Sequence, residues 1–153
     1  MKTRFVQLYL LFVAIILTLT ALAKLPDVFL FHLTSCMEGD PILGNLQPAD
    51  ISNHTLLGVA AGIELFIVGL ICFSPWRWLP CLAAALWGTL CVVVRLFIID
   101  PSVDCGCLGW PGKPSPSMNL MAGLLALAIA AGGLAALWLT WSHAEQAKEI
   151  HGA

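Results

Sequence analysis

The 153-residue chain is 59% hydrophobic and only 10% charged, with a mean hydropathy of +0.91. A soluble domain spends about a quarter of its residues on charged side chains to cover its surface, so this composition excludes a cytosolic globular enzyme. The net charge of −2, with seven basic residues scattered singly, equally excludes a nucleic-acid partner.

A helix crosses a bilayer with about 20 apolar residues, and the chain has room for about four such helices with short connections. The first predicted span covers residues 5–31: Phe5 to Ala23 carries no charge, and Val28 to Phe31 continues the apolar run beyond Lys24-Leu25-Pro26-Asp27. Lys2 and Arg4 ahead of this run, and Ala21-Leu22-Ala23 near its end, also have the form of a signal peptide with an A-x-A cleavage site. Its apolar core exceeds the usual signal length, so the segment is expected to stay as an anchor. The second span, 55–73, contains one charge, Glu64; the third, 79–99, contains Arg95; the fourth, 118–141, contains none. Residues from Ser142 onward form a polar tail. The expected fold is all-α, an integral membrane four-helix bundle built as a single domain over residues 1–153.

The connections are a loop from His32 to His54, a tight Ser74-Pro75-Trp76-Arg77-Trp78 turn, and a Pro- and Gly-rich loop from Asp100 to Ser117. Lys2, Arg4, Arg77 and Lys148 fall on one side of the membrane and only Lys113 in the loops of the other, which puts both termini in the cytoplasm. The two longer loops then face outward and carry Glu38, Asp40, Asp50, Asp100 and Asp104. Trp76, Trp78, Trp110, Trp138 and Trp141 fall near the expected interfaces, where amphipathic rings anchor a helix.

Six cysteines divide under this topology. Cys72, Cys81 and Cys91 lie within or at the ends of spans, where a thiol is a small, inert hydrophobe suited to packing. Cys36, Cys105 and Cys107 face the oxidising side. Extended residues i and i+2 lie about 7 Å apart, so a bond within Cys105-Gly106-Cys107 requires a folded ring, which Gly106 permits. Such a ring is strained, and strained disulfides are oxidising and labile. The spacing suits a bond made and broken in exchange, with Cys36 as resolving or shuttling thiol. Two other readings use the same atoms: a permanent bridge from Cys36 to Cys105 or Cys107, and a soft metal site for copper(I) or zinc completed by His32 or His54.

Glu64, near mid-bilayer, requires a partner or a proton, because a lone carboxylate there costs several kcal/mol. Lys24 and Arg95 are placed to reach it from the outer side, and Asp27, one turn after Lys24, orients the lysine if the helix continues past Pro26. The expected cluster is either a polar site beneath the outer loops or an ion pair that fixes helix packing. Gly58, Gly62 and Gly69 form a stripe on the second span, and Ala84, Gly88, Cys91 and Arg95 share a face of the third. The Ala- and Gly-rich stretch from Ala122 to Ala136 invites close helix contact on the fourth.

Three segments in this order resemble the MauE and DoxX-like redox-associated membrane proteins: Ala23-Lys24-Leu25-Pro26-Asp27-Val28-Phe29, Ile63-Glu64-Leu65-Phe66-Ile67-Val68-Gly69-Leu70, and Asp104-Cys105-Gly106-Cys107-Leu108-Gly109. Leu108 stands where the family has phenylalanine. The resemblance implies a four-helix bundle in a bacterial inner membrane that takes part in periplasmic thiol–disulfide chemistry, with Cys105 and Cys107 carrying the exchange and Lys24, Asp27 and Glu64 forming an intramembrane polar site. It implies a thioredoxin-like protein or a disulfide-containing client as partner and leaves quinone open as electron acceptor, although the sequence contains no quinone motif. From a different class, the same features fit a non-catalytic subunit of a membrane complex stapled by a permanent disulfide.

Overall fold

The computed structural model describes the backbone of residues 2–29, 53–97 and 116–151 and the side chains of 4–25, 55–97 and 120–142. These residues form four helices: α1 (Lys2–Phe29), α2 (Asn53–Phe73), α3 (Trp78–Phe97) and α4 (Pro116–His151). Each contains a stretch long and apolar enough to cross a membrane, Arg4–Leu25, Thr55–Phe73, Trp78–Phe97 and Leu120–Ser142. The second, third and fourth stretches lie close to the expected spans, whereas the first ends at Leu25, short of the expected 31; a bilayer demands length and apolarity of a helix and little else.

Three local features set the boundaries. α1 runs uninterrupted through Pro26, so Lys24 and Asp27 sit one turn apart on one helix, although the Asp27 side chain lies outside the described residues. Pro75 ends α2. The Ser74 amide closes on the Leu70 carbonyl at 3.0 Å, and the Ser74 hydroxyl accepts from the Trp76 amide at 3.2 Å, which folds the turn tightly. Pro80 falls in the first turn of α3, where its missing N–H costs nothing. Beyond the span, α4 continues to His151: the tail read as merely polar is helical, because Ala144-Glu145-Gln146-Ala147-Lys148-Glu149 is built of strong helix formers.

The helices pack mainly as two pairs, α1 on α2 and α3 on α4, with α1 against α4 joining them. The tight turn therefore links the pairs, and the two long connections, 30–52 and 98–115, each close one pair. At the α3–α4 seam the backbones touch: a Cβ on Gly88 would lie 2.6 Å from the Ala130 amide nitrogen, and one on Gly133 would lie 2.9 Å from the Ala85 Cα. Small residues supply such contacts where lipid removes any hydrophobic drive between helices. The α2 stripe behaves otherwise. Gly62 and Gly69 face open space, so the expectation that this stripe brings helices together does not hold for those two positions.

Val13, Leu17, Cys81, Ala84 and Ala136 make the centre of the core. Large apolar side chains such as Leu8, Phe66, Leu96 and Leu120 are about two-thirds exposed, at 66%, 66%, 69% and 65%. Lys24 and Glu64 are buried. Charge inside and bulky hydrocarbon outside is the inverse of a water-soluble bundle, and the chain is a multi-pass membrane protein. Trp76 and Trp78 stack with ring centroids 6.4 Å apart at one end of the bundle, and Trp138 and Trp141 stand exposed toward the end of the α4 span.

Candidate functional site

The polar centre of the bundle is built from α1 and α2. Glu64 occupies the middle of the Thr55–Phe73 span, and Lys24 stands at the far end of the Arg4–Leu25 span. A lysine near a helix end ordinarily extends toward the headgroups. Here it turns inward: Lys24 Nζ donates to Glu64 Oε1 at 2.5 Å, with the side chains 3% and 6% exposed. The ion pair removes the net charge that either group alone would place in hydrocarbon.

The other carboxylate oxygen, Oε2, is buried and has no hydrogen-bond partner among the described residues. Thr20 and Trp87 approach the carboxylate, and the Thr20 hydroxyl donates to the Leu17 carbonyl at 3.1 Å. Arg95, expected in the same cluster, does not occupy Oε2 either; it is half-buried in the last turn of α3. The structure thus brings together Lys24 and Glu64 of the expected intramembrane group. Its chemical repertoire is that of a neutralised acid–base pair with one spare acceptor.

A half-enclosed, almost wholly apolar cavity of about 60 Å3 lies beside Glu64. All four helices contribute to its wall: Leu17 and Thr20 from α1, Glu64 from α2, Trp87 and Cys91 from α3, and Leu125 from α4, among others. Thr20 and Trp87 were not singled out by sequence, where a threonine and a tryptophan in apolar runs carry no signal of their own. Tyr9 was missed as well. As the chain's one tyrosine, set inside an apolar span, it was the available clue: its hydroxyl donates to the Ile129 carbonyl at 2.7 Å and ties α1 to α4.

The membrane cysteines divide three ways. Cys81 is fully buried in the core, as packing requires, and Cys91 lines the cavity. Cys72 is exposed, so it does not serve the packing role expected of it. Cys36, Cys105 and Cys107, together with Trp110 and the side chains of His32 and His54, lie outside the described residues.

These features define a multi-pass membrane protein with four membrane-length helices among its described residues and a buried ion pair between α1 and α2. No protein-family model matches the chain, and neither a curated protein nor a solved structure matches it.

Proposed function

We propose that the protein is an integral membrane thiol–disulfide redox protein of the MauE/DoxX-like kind, with both termini in the cytoplasm of a bacterial inner membrane and its exchange chemistry outside. The observation that carries this reading is Cys105-Gly106-Cys107 in the connection between α3 and α4. Four successive crossings return the connections 30–52 and 98–115 to one side, which supports Cys36 acting with that pair. The distribution of Lys2, Arg4, Arg77 and Lys148 supports that side being the outer one.

In the exchange, a thiolate of Cys105 or Cys107 attacks a disulfide of a periplasmic thioredoxin-like partner or client and displaces one of its sulfurs as thiolate, giving a mixed disulfide. The second cysteine of the pair, or Cys36, then attacks the bridging sulfur that belongs to this chain. The partner leaves as a dithiol, this chain is left with the disulfide, and two electrons have moved to the partner. The same steps in reverse oxidise a dithiol client. The resemblance adds quinone as a class of acceptor for electrons arriving at the pair. The Lys24–Glu64 pair lies within the same bundle as its intramembrane polar site.

Replacing Cys107 by Ser, so that the mixed disulfide cannot resolve within the pair, tests this reading. A covalent adduct of the Cys107→Ser or Cys105→Ser chain with a periplasmic protein, released by reductant, is the expected result. Undiminished exchange in both single variants would show that the pair is not the site.

A further inference from the structure

The two helix pairs meet unevenly along their length. Toward the 74–77 turn they share a core that includes Val6, Val13, Ile67, Cys81 and Ala136, and the Tyr9 hydroxyl ties α1 to α4. Toward the long connections α1 and α2 stay closed on each other, with Ala21, Lys24, Leu57 and Ala61 all buried. In the facing half of the other pair, no residue of 89–97 or 120–128 is buried. The apolar cavity of about 60 Å3 lies in that half, with Leu17 and Thr20 on one side and Cys91 and Leu125 on the other.

Lipid is as apolar as these walls, so hydrocarbon contact by itself gives the pairs little reason to stay together there. A polar contact does, because hydrocarbon offers a separated donor or acceptor no replacement. Glu64 supplies the acceptor: Lys24 takes Oε1, and Oε2 is buried with no hydrogen-bond partner among the described residues. Thr20 and Trp87 are the side chains that approach it. Thr20 sits on α1, in the same pair as Glu64, and its hydroxyl hydrogen already goes to the Leu17 carbonyl. Trp87 sits on α3, in the other pair, and its indole N–H can only donate. Glu64 and Trp87 both line the cavity, at the level where the shared core gives way to it.

We infer that Trp87 is a latch between the two helix pairs: its indole N–H donates to Glu64 Oε2, and this contact holds the cavity half of the bundle closed. The carboxylate then has two duties, since one oxygen binds α1 through Lys24 and the other binds α3. With the latch broken, the α3–α4 pair swings away about the core near the turn, and lipid chains enter between Leu17 and Leu125. The swing shifts the ends of connection 30–52, carried by one pair, relative to those of 98–115, carried by the other. The latch rests on the described helices and is independent of thiol exchange.

Access of lipid to Leu17 tests the inference, since this side chain lines the cavity and is 2% exposed. Full chains with carbon-13 methyl groups in leucine and valine are placed in phosphatidylcholine bicelles containing a doxyl-labelled acyl chain, whose unpaired electron broadens the methyl signals it approaches. Leu17 is assigned by its disappearance in Leu17→Ile, and Val13, which is 0% exposed in the shared core, by its disappearance in Val13→Ile. Trp87→Phe keeps a ring and removes the N–H; it is expected to raise the broadening of Leu17 several-fold and to leave Val13 unchanged. Lys24→Met combined with Glu64→Leu keeps Trp87 and removes its acceptor; it is expected to have the same effect, and Trp87→Phe on top of it to add nothing. A Leu17 as protected in the chain without the ion pair as in wild type would overturn the inference, as would a further rise when Trp87→Phe is added to that chain. Val13 broadening together with Leu17 would also overturn it, because the whole bundle would then have loosened. Should Trp87→Phe fail to insert, the chain without the ion pair decides alone.

Discussion

Lys24 Nζ and Glu64 Oε1 meet at 2.5 Å across the α1–α2 interface, in a bundle whose core is otherwise almost wholly apolar. Neither residue is tolerable there without the other, since each alone would leave a charge in low dielectric. Lys24→Met or Glu64→Leu is therefore expected to destabilise the bundle by about 3–5 kcal/mol, and the double substitution to recover most of that loss. Reversible unfolding in mixed micelles measures the cycle. A double variant no more stable than the single ones would mean that the pair is not the reason each charge is tolerated. A stable double variant that has lost thiol exchange would assign the pair to function, beyond packing.

The Tyr9 hydroxyl bonds the Ile129 carbonyl at 2.7 Å, and the Tyr9 ring lies so close to Gly132 that a Cβ there would overlap it. Tyr9→Phe keeps the ring and removes the bond, so it is expected to cost about 0.5–1.5 kcal/mol, toward the lower end for a membrane hydrogen bond. Gly132→Ala is expected to cost more, since it pushes the ring off α4. The same unfolding measurement ranks the two, and the reverse order would contradict the close α1–α4 contact.

Glycines that look alike in sequence have opposite fates. Gly88 would place a Cβ 2.6 Å from the Ala130 backbone, whereas Gly62 would place one in open space. Gly88→Ala is expected to force α3 and α4 apart and lower stability by more than about 1–3 kcal/mol, the usual range of overpacking, because the obstacle is backbone. Gly62→Ala is expected to be neutral or to gain up to about 1 kcal/mol of helix propensity. Equal effects at the two sites would refute the seam.

The contrast between these glycines shows how far the sequence carries. The four spans are legible because membrane crossing is a rule about length and apolarity, which each segment obeys by itself. The demand of Glu64 for a cation is legible for the same reason: a mid-span carboxylate has few alternatives, and Lys24 is near at hand. Which small-residue face meets a partner depends on how four helices are arranged, so the Gly62–Gly69 stripe and the Gly88 position could not be told apart. Arg95 could not be separated from Lys24 either, because depth along a helix is readable from sequence while rotation about the bundle is not. The helical extension of α4 past Ser142 was hidden by its polarity, since polar composition marks the end of a span and says nothing about the end of a helix.

Cys72 is exposed at the end of α2, and Cys81 is fully buried. In detergent micelles a small maleimide is expected to label Cys72 in the folded chain and Cys81 only after denaturation, as mass spectrometry of peptides would read. Folded-state labelling of Cys81 would contradict the packing of α3. Cys72→Ser is expected to leave the proposed thiol exchange unchanged.

The proposed thiol exchange at Cys105 and Cys107 is open to a thiol-trapping mobility shift on native membranes. Chains are quenched in acid before and after a mild redox challenge, denatured, and alkylated with a bulky maleimide. Of the six cysteines, two in a disulfide escape the label, so the oxidised chain carries four adducts and the reduced chain six. Wild type is expected to cycle between these two species under mild challenge, and Cys105→Ser and Cys107→Ser are not. A bond that stays closed until the protein is denatured would contradict it and identify the disulfide as a permanent staple of a structural subunit.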